Sequence, residues 1–346
     1  MSAFRPFLPP KRKLLLLAVP ALLAACAPTS DRTQEDLRAL LEDGRLSDAS
    51  RYAVVNQISG DYLAHGQYNE LVLFLTGRVE DNPDDIYNAY WLLMTAYAYL
   101  ESGAEPMAEY YFERTLRNCG DLIVKGTSVH LLCLSNLIRI SRNPANRIYY
   151  FNQLINRFPA EVSTTELYWR TAMEYEAAGE WDKALKSFQQ FLNCEDSTTI
   201  RIAGAPDAYA TARQLIDFSN SSRDWTFESL DALADAVKSA ISRYDWRALE
   251  RCRSKVNFFA MSWGADDTAA GVQDDFSVRG YMLGNKIQCD ASFDRLTNEN
   301  EAYLKTSGWS PYLPIWYLYF RKVNFPADPE IHGRWEWAGI YYGEKL

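Results

Sequence analysis

The chain has 346 residues, of which 48% are hydrophobic and 23% are charged, and its formal net charge is −9 at pH 7. Such an acidic chain is a poor candidate for a nucleic-acid partner, because binding to phosphates depends on basic patches that release counterions. It contains no P-loop, no dinucleotide-binding glycine motif and no metal-ligand spacing. We therefore expect no enzyme activity, no catalytic residue, no metal and no cofactor.

The first 25 residues have the composition of an export signal. Arg5 and three basic residues at 11–13 precede an apolar stretch over 14–25, which is the order of a secretory signal peptide. Twelve residues rise only about 18 Å as a helix, whereas the hydrocarbon core of a bilayer is about 30 Å thick. Residues 1–25 are therefore interpreted as a signal peptide rather than as a spanning helix.

The end of this segment, Leu23-Ala24-Ala25-Cys26, resembles the lipobox of bacterial lipoproteins. The resemblance implies that the Cys26 thiol receives a diacylglyceryl group and that the chain is cleaved before it. Two acyl chains hold a protein stably on a membrane, whereas one gives marginal binding. Ala27 follows, and the lack of an aspartate there favours the outer membrane, with the mature chain facing the periplasm. The alternative is an ordinary cleaved signal in which Cys26 is incidental.

The mature chain is more acidic than the whole. Removal of residues 1–25 takes away four basic and no acidic side chains, which shifts the formal net charge from −9 to −13. Five cysteines follow Cys26, an odd number where disulfides can form, and we interpret them as buried thiols. The length predicts two domains behind a tether and a capping helix over residues 26–46.

Three windows of the first half align without gaps. In each window a tyrosine precedes a glycine by four residues: Tyr62 and Gly66, Tyr99 and Gly103, Tyr175 and Gly179. Apolar residues with helical spacing follow each glycine, as Leu71 and Leu75 do in the first window. Each window therefore predicts a helix, a tight turn and a second helix.

These features resemble the tetratricopeptide repeat. In that frame the repeats start at Tyr52, Ala89, Ser128 and Thr165, and Asn143-Pro144 replaces the glycine turn of the third repeat. The offsets between starts are 37, 39 and 37 residues, and we expect the residues beyond the usual count of about 34 to lengthen the loops between repeats. The predicted fold is mainly α, with a tetratricopeptide-like α-solenoid of about four helical hairpins over residues 47–220.

Stacked hairpins curve and leave a concave groove lined by the first helix of each repeat. The family resemblance implies that the partner-binding groove of this chain consists of Asn56, Tyr90, Leu93, Tyr97, Asn136, Arg139, Trp169, Met173 and Glu176. Arg139 is the lone cation among them, so the surface suits an extended peptide or a helix of a partner. The alternative is that Tyr90, Tyr97 and Trp169 pack against the next helix.

The character of the chain changes after the polar segment 219–223. Helical spacing begins at Leu230, and Asp245 is placed to cap a second short helix. Five later segments have strand character: 256–263, 276–283, 286–292, 315–323 and 334–342. This order predicts a smaller α+β domain with an antiparallel sheet over residues 227–346. The acidic segment 264–275 is expected to be a solvated loop, although calcium coordination is an alternative.

The last predicted strand has two distinct faces. Period-two alternation places Trp335, Trp337, Gly339 and Tyr341 on one face and Glu336, Ala338 and Ile340 on the other. The opening Gly333-Arg334-Trp335 and the order of elements resemble the NTF2-like superfamily, whose cone-shaped sheet wraps on helices. In the enzymes of that superfamily the cavity holds an Asp or a His. We expect His332 to lie in an exposed turn, and the late tryptophans to form the sheet core or an aromatic floor for a ligand.

Together these patterns predict a membrane-anchored lipoprotein that acts as an interaction scaffold in the cell envelope. Its expected partners are an envelope protein or peptide in the groove and the membrane through acyl chains on Cys26. The alternative is a ligand-binding lipoprotein, such as a transport component, that holds a small apolar or sugar ligand in the C-terminal domain.

Replacement of the lipobox cysteine tests the predicted attachment. The wild-type chain is expected to partition into the detergent phase of a cloud-point extraction, whereas Cys26→Ala is expected in the aqueous phase because it carries no acyl chains. Cys119→Ala is the matched control and should partition like the wild type. Equal partitioning of wild type and Cys26→Ala would contradict lipidation.

Overall fold

The structure is a computed structural model that describes residues 31–42, 46–263 and 276–344. Cys26, the rest of the predicted signal peptide and the acidic segment 264–275 lie outside the described residues. The described chain contains thirteen helices, a short β-hairpin and a five-stranded sheet in its C-terminal part. In the described ranges, every helix is too short or too polar to cross a membrane.

The described chain divides into two compact units. The first contains the residues up to Glu180 together with Thr199–Pro206, and the second contains Trp181–Thr198 and the residues from Asp207 onward. The coarse prediction of an α-rich part followed by an α+β part is confirmed. Two helices that the sequence analysis assigned to the repeats, at 181–192 and 208–220, fall in the second unit.

The first unit is a succession of helices in which each helix packs against the next. Their bounds are α1 Asp31–Leu41, α2 Asp48–Ala64, α3 Tyr68–Asp81, α4 Asn88–Glu101, α5 Glu105–Asn118, α6 Val129–Ile140, α7 Pro144–Arg157 and α8 Thr164–Ala177. Serine caps start three of them, since Ser47, Ser128 and Ser163 accept hydrogen bonds from the first-turn amides of α2, α6 and α8. The polar caps therefore set where these helices begin.

Helices α2, α4 and α8 end in the same backbone turn. Gly66, Gly103 and Gly179 have φ angles of 68°, 79° and 73°, in the left-handed region that favours glycine. The amide of each glycine donates to the carbonyl three residues earlier, and the following amide donates to the carbonyl five residues before it. The helix, tight turn and helix predicted for each window are confirmed, whereas their assembly into a solenoid stays a prediction.

A β-hairpin fills the longer connection between α5 and α6. Strands β1 Ile123–Val124 and β2 Thr127–Ser128 are antiparallel, and Lys125 and Gly126 between them have φ angles of 49° and 80°. Two consecutive positive φ angles are what a two-residue hairpin turn requires. The Asp121 carboxylate accepts hydrogen bonds from the Ser128 hydroxyl at 2.7 Å and the His130 amide at 3.0 Å, so it attaches the hairpin to the first turn of α6.

The second unit combines five helices with a mixed sheet. The helices are α9 Trp181–Leu192, α10 Ala208–Asn220, α11 Leu230–Ser242, α12 Trp246–Cys252 and α13 Val278–Met282. The strands are β3 Phe259–Ser262, β4 Gln288–Cys289, β5 Glu301–Ser307, β6 Ile315–Lys322 and β7 Trp335–Tyr342, in the spatial order β3-β7-β6-β5-β4.

Stacked aromatic rings explain why α10 belongs to the second unit. Phe218 of α10 stacks on Phe325 with ring centroids 5.5 Å apart and on Trp225 at 6.0 Å. These three rings are buried in a small cluster, against which Leu185 of α9 and Leu215 of α10 also pack. The buried aromatic area stabilises the attachment of both helices.

Two predictions about the sheet are wrong. The sheet is not wholly antiparallel, because β3 pairs with β7 in parallel. The segment 276–283, predicted as a strand, contains helix α13 (Val278–Met282) instead. Val278 and Met282 are one helical turn apart and both are buried, while the Glu250 carboxylate accepts a hydrogen bond from the first-turn amide of Val278. The four-residue spacing of these buried side chains fits a helix, and in this segment it outweighs the β-propensity of the residues.

A β-bulge overturns the predicted faces of β7. Tyr319 pairs with Gly339 but Phe320 pairs with Trp337, so Ala338 is an extra residue. Beyond the bulge the alternation shifts by one residue. Ile340 consequently joins Trp335 and Trp337 in the core, and Gly339 and Tyr341 lie on the opposite face. The sequence patterns did not predict strand β5. Glu301 and Lys305 interrupt its apolar pattern, although Ala302 and Leu304 are fully buried.

Gly339 tests the close packing of β3 on β7. A Cβ atom at this position would lie 2.6 Å from the nearest atom of the Phe259 ring, so Gly339→Ala forces the ring or the strand to move. We expect the free energy of unfolding to fall by about 1–3 kcal/mol, the usual effect of overpacking. Urea unfolding measures the change. Gly280→Ala, where the new Cβ meets nothing within 4 Å, is the matched control, and an equal effect of both changes would contradict the contact.

Candidate functional site

The nine predicted groove residues lie on four alternate helices of the first unit. Asn56 is on α2, Tyr90, Leu93 and Tyr97 are on α4, Asn136 and Arg139 are on α6, and Trp169, Met173 and Glu176 are on α8. Five of them are buried, namely Tyr90, Leu93, Tyr97, Asn136 and Trp169. Asn56 and Glu176 are half-buried, and Arg139 and Met173 are exposed.

Hydrogen bonds between groove residues link these helices side by side. The Tyr90 hydroxyl donates to Asn56 Oδ1 at 3.4 Å and thereby joins α4 to α2. Asn136 Nδ2 donates to the Tyr97 hydroxyl oxygen at 2.7 Å and joins α6 to α4. Arg139 Nη2 donates to Asn136 Oδ1 at 2.9 Å. The structure therefore places these predicted groove residues of α2, α4 and α6 in contact with one another, while the groove itself stays a prediction.

The two groove tyrosines of α4 pack against neighbouring aromatic rings. Tyr97 makes an edge contact with Phe112 of α5 at 5.4 Å between centroids, and Tyr90 lies 5.9 Å from Tyr52 of α2. Burial raises the pKa of the Tyr97 hydroxyl, so it stays protonated. Both tyrosines therefore pack against adjacent helices, which is the alternative to lining an open groove.

Helix α4 is buried on every side from Asn88 to Ala98. A helix with apolar residues all round is a buried helix rather than one wall of an open groove. The sequence carries this signal, since positions 89–98 contain Thr95 as the one side chain that is not apolar or aromatic. The predicted repeat frame does not use this signal, because it assigns one face of the first helix of each repeat to solvent.

The accessible part of the predicted groove therefore lies on α6 and α8. Arg139 is exposed, Met173 is 39% exposed, and Glu176 is half-buried. Burial raises the pKa of the Glu176 carboxyl. These groups provide a guanidinium donor, a carboxyl group and an adaptable apolar side chain, which can bind a peptide by hydrogen bonds and contact.

A partly buried ion pair that the sequence did not predict joins α7 to α8. Arg147 Nε and Nη2 donate to the two carboxylate oxygens of Glu174 at 2.8 and 2.6 Å, and Arg147 Nη1 donates to the Ser141 carbonyl oxygen at 2.9 Å. In the predicted repeat frame, the positions equivalent to Arg147 are Leu71, Ala108 and Ala184. An arginine at a position that is otherwise apolar in this frame is a sequence signal that could have indicated the ion pair.

Three late tryptophans of the second unit, which the sequence suggested as a floor for a ligand, are packed in its core. Trp309 and Trp316 stack with centroids 4.4 Å apart at an angle of 5°, and both are fully buried, as is Trp337. These side chains form the core between the sheet and α11–α13. His332 is exposed, as predicted, and its Nδ1 accepts a hydrogen bond from the Phe325 amide at 3.2 Å.

The opposite face of the sheet carries a second set of aromatic contacts and, separately, a buried carboxylate. Trp263 stacks on Tyr341 at 4.3 Å between centroids and makes an edge contact with Tyr317. Glu336 is fully buried and accepts hydrogen bonds from Arg321 Nε and the Ser254 hydroxyl, each at 2.7 Å. Burial raises the pKa of Glu336, while Arg321 opposes the rise. Among the described residues, no three or more His, Cys, Asp or Glu side chains are grouped to hold a metal ion.

No protein-family model matches this chain, and no curated protein is significantly similar to it in sequence.

The ion pair between α7 and α8 can be tested with one substitution that destabilises the fold and a second that restores its stability. Arg147→Ala leaves the Glu174 carboxylate buried without its partner, and the free energy of unfolding is expected to fall by about 3–5 kcal/mol. The double change Arg147→Ala with Glu174→Leu reproduces Ala108 and Leu137, which occupy the equivalent positions one repeat earlier.

We expect the double variant to recover most of the lost stability in urea unfolding followed by circular dichroism, because it buries an apolar pair instead of a single charge. If both variants unfold at the same urea concentration, the cost does not come from the unpaired carboxylate.

Proposed function

We propose that this protein is a lipid-anchored interaction scaffold of the bacterial cell envelope. The observation that carries the proposal is the recurrence, in α2, α4 and α8, of one turn with the same hydrogen bonds. Units that repeat in this way bury their apolar faces by stacking, and stacked helical hairpins typically serve as binding surfaces for other proteins. The resemblance of residues 23–26 to a lipobox supports the membrane attachment.

The partner is proposed to bind at Arg139, Met173 and Glu176. These three residues of the predicted groove lie on α6 and α8, and Arg139 and Met173 are exposed. The Arg139 guanidinium has donors beyond the one that contacts Asn136, so it can bind a carbonyl or a carboxylate of an extended peptide. The flexible Met173 side chain fits partners of varied shape.

Membrane attachment gives this binding surface its mechanism. A tether confines the surface to one membrane and raises its effective concentration for any partner on that membrane. No chemical step is required. The alternative, a ligand held in the C-terminal domain, finds less support because Trp309, Trp316 and Trp337 are fully buried in the core.

Site-specific crosslinking in the native envelope tests the proposed surface. A photoreactive amino acid at Met173 in the full chain should give a discrete crosslinked product, and Arg139→Glu should reduce its yield at least several-fold because it reverses the charge. The same probe at Tyr312, which is 93% exposed in the second unit, is the matched control. Products that are identical at both positions, or unchanged by Arg139→Glu, would contradict the proposal.

A further inference from the structure

Two exposed arginines of the second unit lie over one half-buried tryptophan. The guanidinium carbon of Arg247 is 4.6 Å from the centroid of the Trp246 ring, and that of Arg279 lies at 5.2 Å. Trp246 begins α12 and packs against the core of this unit. Both guanidinium groups are therefore held beside one ring, no more than about 10 Å apart, a distance over which charges still interact in dilute salt.

A third arginine belongs to the same face of α12. Arg251 follows Arg247 by four residues within this helix, so the two side chains lie one turn apart on one face. All three arginines are exposed. Like charges at this spacing repel each other and destabilise a helix, so the spacing does not serve the stability of α12. We name Arg247, Arg251 and Arg279 the arginine patch.

The guanidinium groups of the arginine patch have no carboxylate partner. Apart from the contacts with the tryptophan ring, no hydrogen bond or ion pair engages them within the described ranges. Carboxylates are not scarce, since the chain has 45 acidic and 36 basic side chains. At the same four-residue spacing elsewhere, Arg213 pairs with Asp217 at 3.0 Å and Arg117 pairs with Glu113 at 3.5 Å. The patch is therefore an uncompensated positive charge on an acidic chain.

The acidic side chains of α11 and α12 form no ion pairs with the patch. Asp245 caps α12 by accepting a hydrogen bond from the Ala248 amide at 3.0 Å. Glu250 lies 3.3 Å from Arg253 Nε and accepts a hydrogen bond from the Val278 amide at 3.2 Å. The two aspartates of α11 lie in its first half, and those of segment 264–275 lie outside the described residues. Residues 245–253 and 278–282 together carry four arginines and two carboxylates, which leaves this surface positive.

The chemistry of the patch suits phosphate groups. A guanidinium group carries five N–H donors in one plane, and two of them match two oxygens of a phosphate. An arginine over an aromatic ring makes no hydrogen bond with the ring, so these donors remain available. Tryptophan is enriched where a membrane meets water, because its indole is apolar at one end and donates a hydrogen bond at the other. Exposure of all three arginines suits an extended layer of phosphates better than one enclosed ion.

We propose that the arginine patch and Trp246 bind the phosphate groups of anionic phospholipids, so that α12 and α13 face a membrane surface. The proposal rests on the proposed function in one respect, because the lipid anchor is what brings this unit to a membrane. The negative potential of such a surface attracts each arginine near it and repels the acidic remainder of the chain. These opposite effects favour one orientation of the second unit on the lipid.

Vesicle co-sedimentation of the mature chain, residues 26–346 with Cys26→Ala, tests the proposal. This form contains all the described residues but neither the acyl chains nor the apolar segment 14–25. Phosphatidylcholine vesicles with one third of phosphatidylglycerol are expected to bind it at least tenfold more strongly than vesicles of phosphatidylcholine alone. The double change Arg247→Gln and Arg279→Gln should lower the partition coefficient at least tenfold, since each arginine near an anionic surface contributes a factor of about five.

Two further double variants separate the patch from net charge and from folding. Arg117→Gln with Arg213→Gln removes the same charge from two exposed positions outside the patch, and it should change the partition coefficient less than twofold. Arg247→Lys with Arg279→Lys keeps the charge and should bind within about threefold of the parent, because most of the attraction is electrostatic. Equal urea midpoints of all variants establish that the fold is intact.

Equal binding to both kinds of vesicle would overturn the proposal, as would binding that Arg247→Gln with Arg279→Gln leaves intact. Inorganic phosphate that displaces the chain at the concentration of accessible lipid phosphate would overturn it in favour of a free anion. Oligoglutamate that does so would assign the patch to an acidic protein instead. Because this form carries no anchor, a negative result together with normal detergent partitioning of the wild type would contradict this proposal and leave the anchor standing.

Discussion

The burial of α4 on all sides is the constraint on which the first unit depends. A helix without a polar face has no stability in water by itself, so it requires neighbours on every side. Asn56 of α2 and Asn136 of α6 supply hydrogen-bond partners for the buried hydroxyls of Tyr90 and Tyr97. The same side chains that a repeat frame assigns to a binding groove thus hold the helices together, and the exposed residues of the proposed binding surface lie on α6 and α8.

The sequence predicted the helical part well because its signals are local. A glycine with positive φ and a serine cap act within one turn of chain, so Gly66, Gly103 and Ser128 can be interpreted without knowing their neighbours. Burial is not local. Whether Trp169 or Tyr97 faces solvent depends on what packs beside the helix. A repeat frame predicts side-chain exposure only where the repeats stack regularly. For the same reason the sequence alone could not predict the Arg147–Glu174 pair.

The sheet was harder to predict, since strand register depends on pairing over long distances. One extra residue at Ala338 reverses every later side chain of β7, and nothing in the local pattern marks it. The attachment of α10 to the second unit rests on Phe218 and Phe325, which lie more than 100 residues apart in sequence. Such contacts become visible only in three dimensions. The coarse α+β class survived because it depends on the order of elements rather than on their register.

The ion pair at Arg147 has a counterpart at the other end of the first unit. In the predicted repeat frame, Asp61 occupies in the first repeat the position that Glu174 occupies in the fourth, and it accepts a hydrogen bond from Gln34 of α1 at 2.7 Å. The two repeats between them have Ala98 and Leu137 there, both fully buried. A helix that docked one repeat out of place would bury a charge against an apolar surface. The two polar contacts therefore favour the observed pairings of α1 with α2 and of α7 with α8 over pairings displaced along the chain.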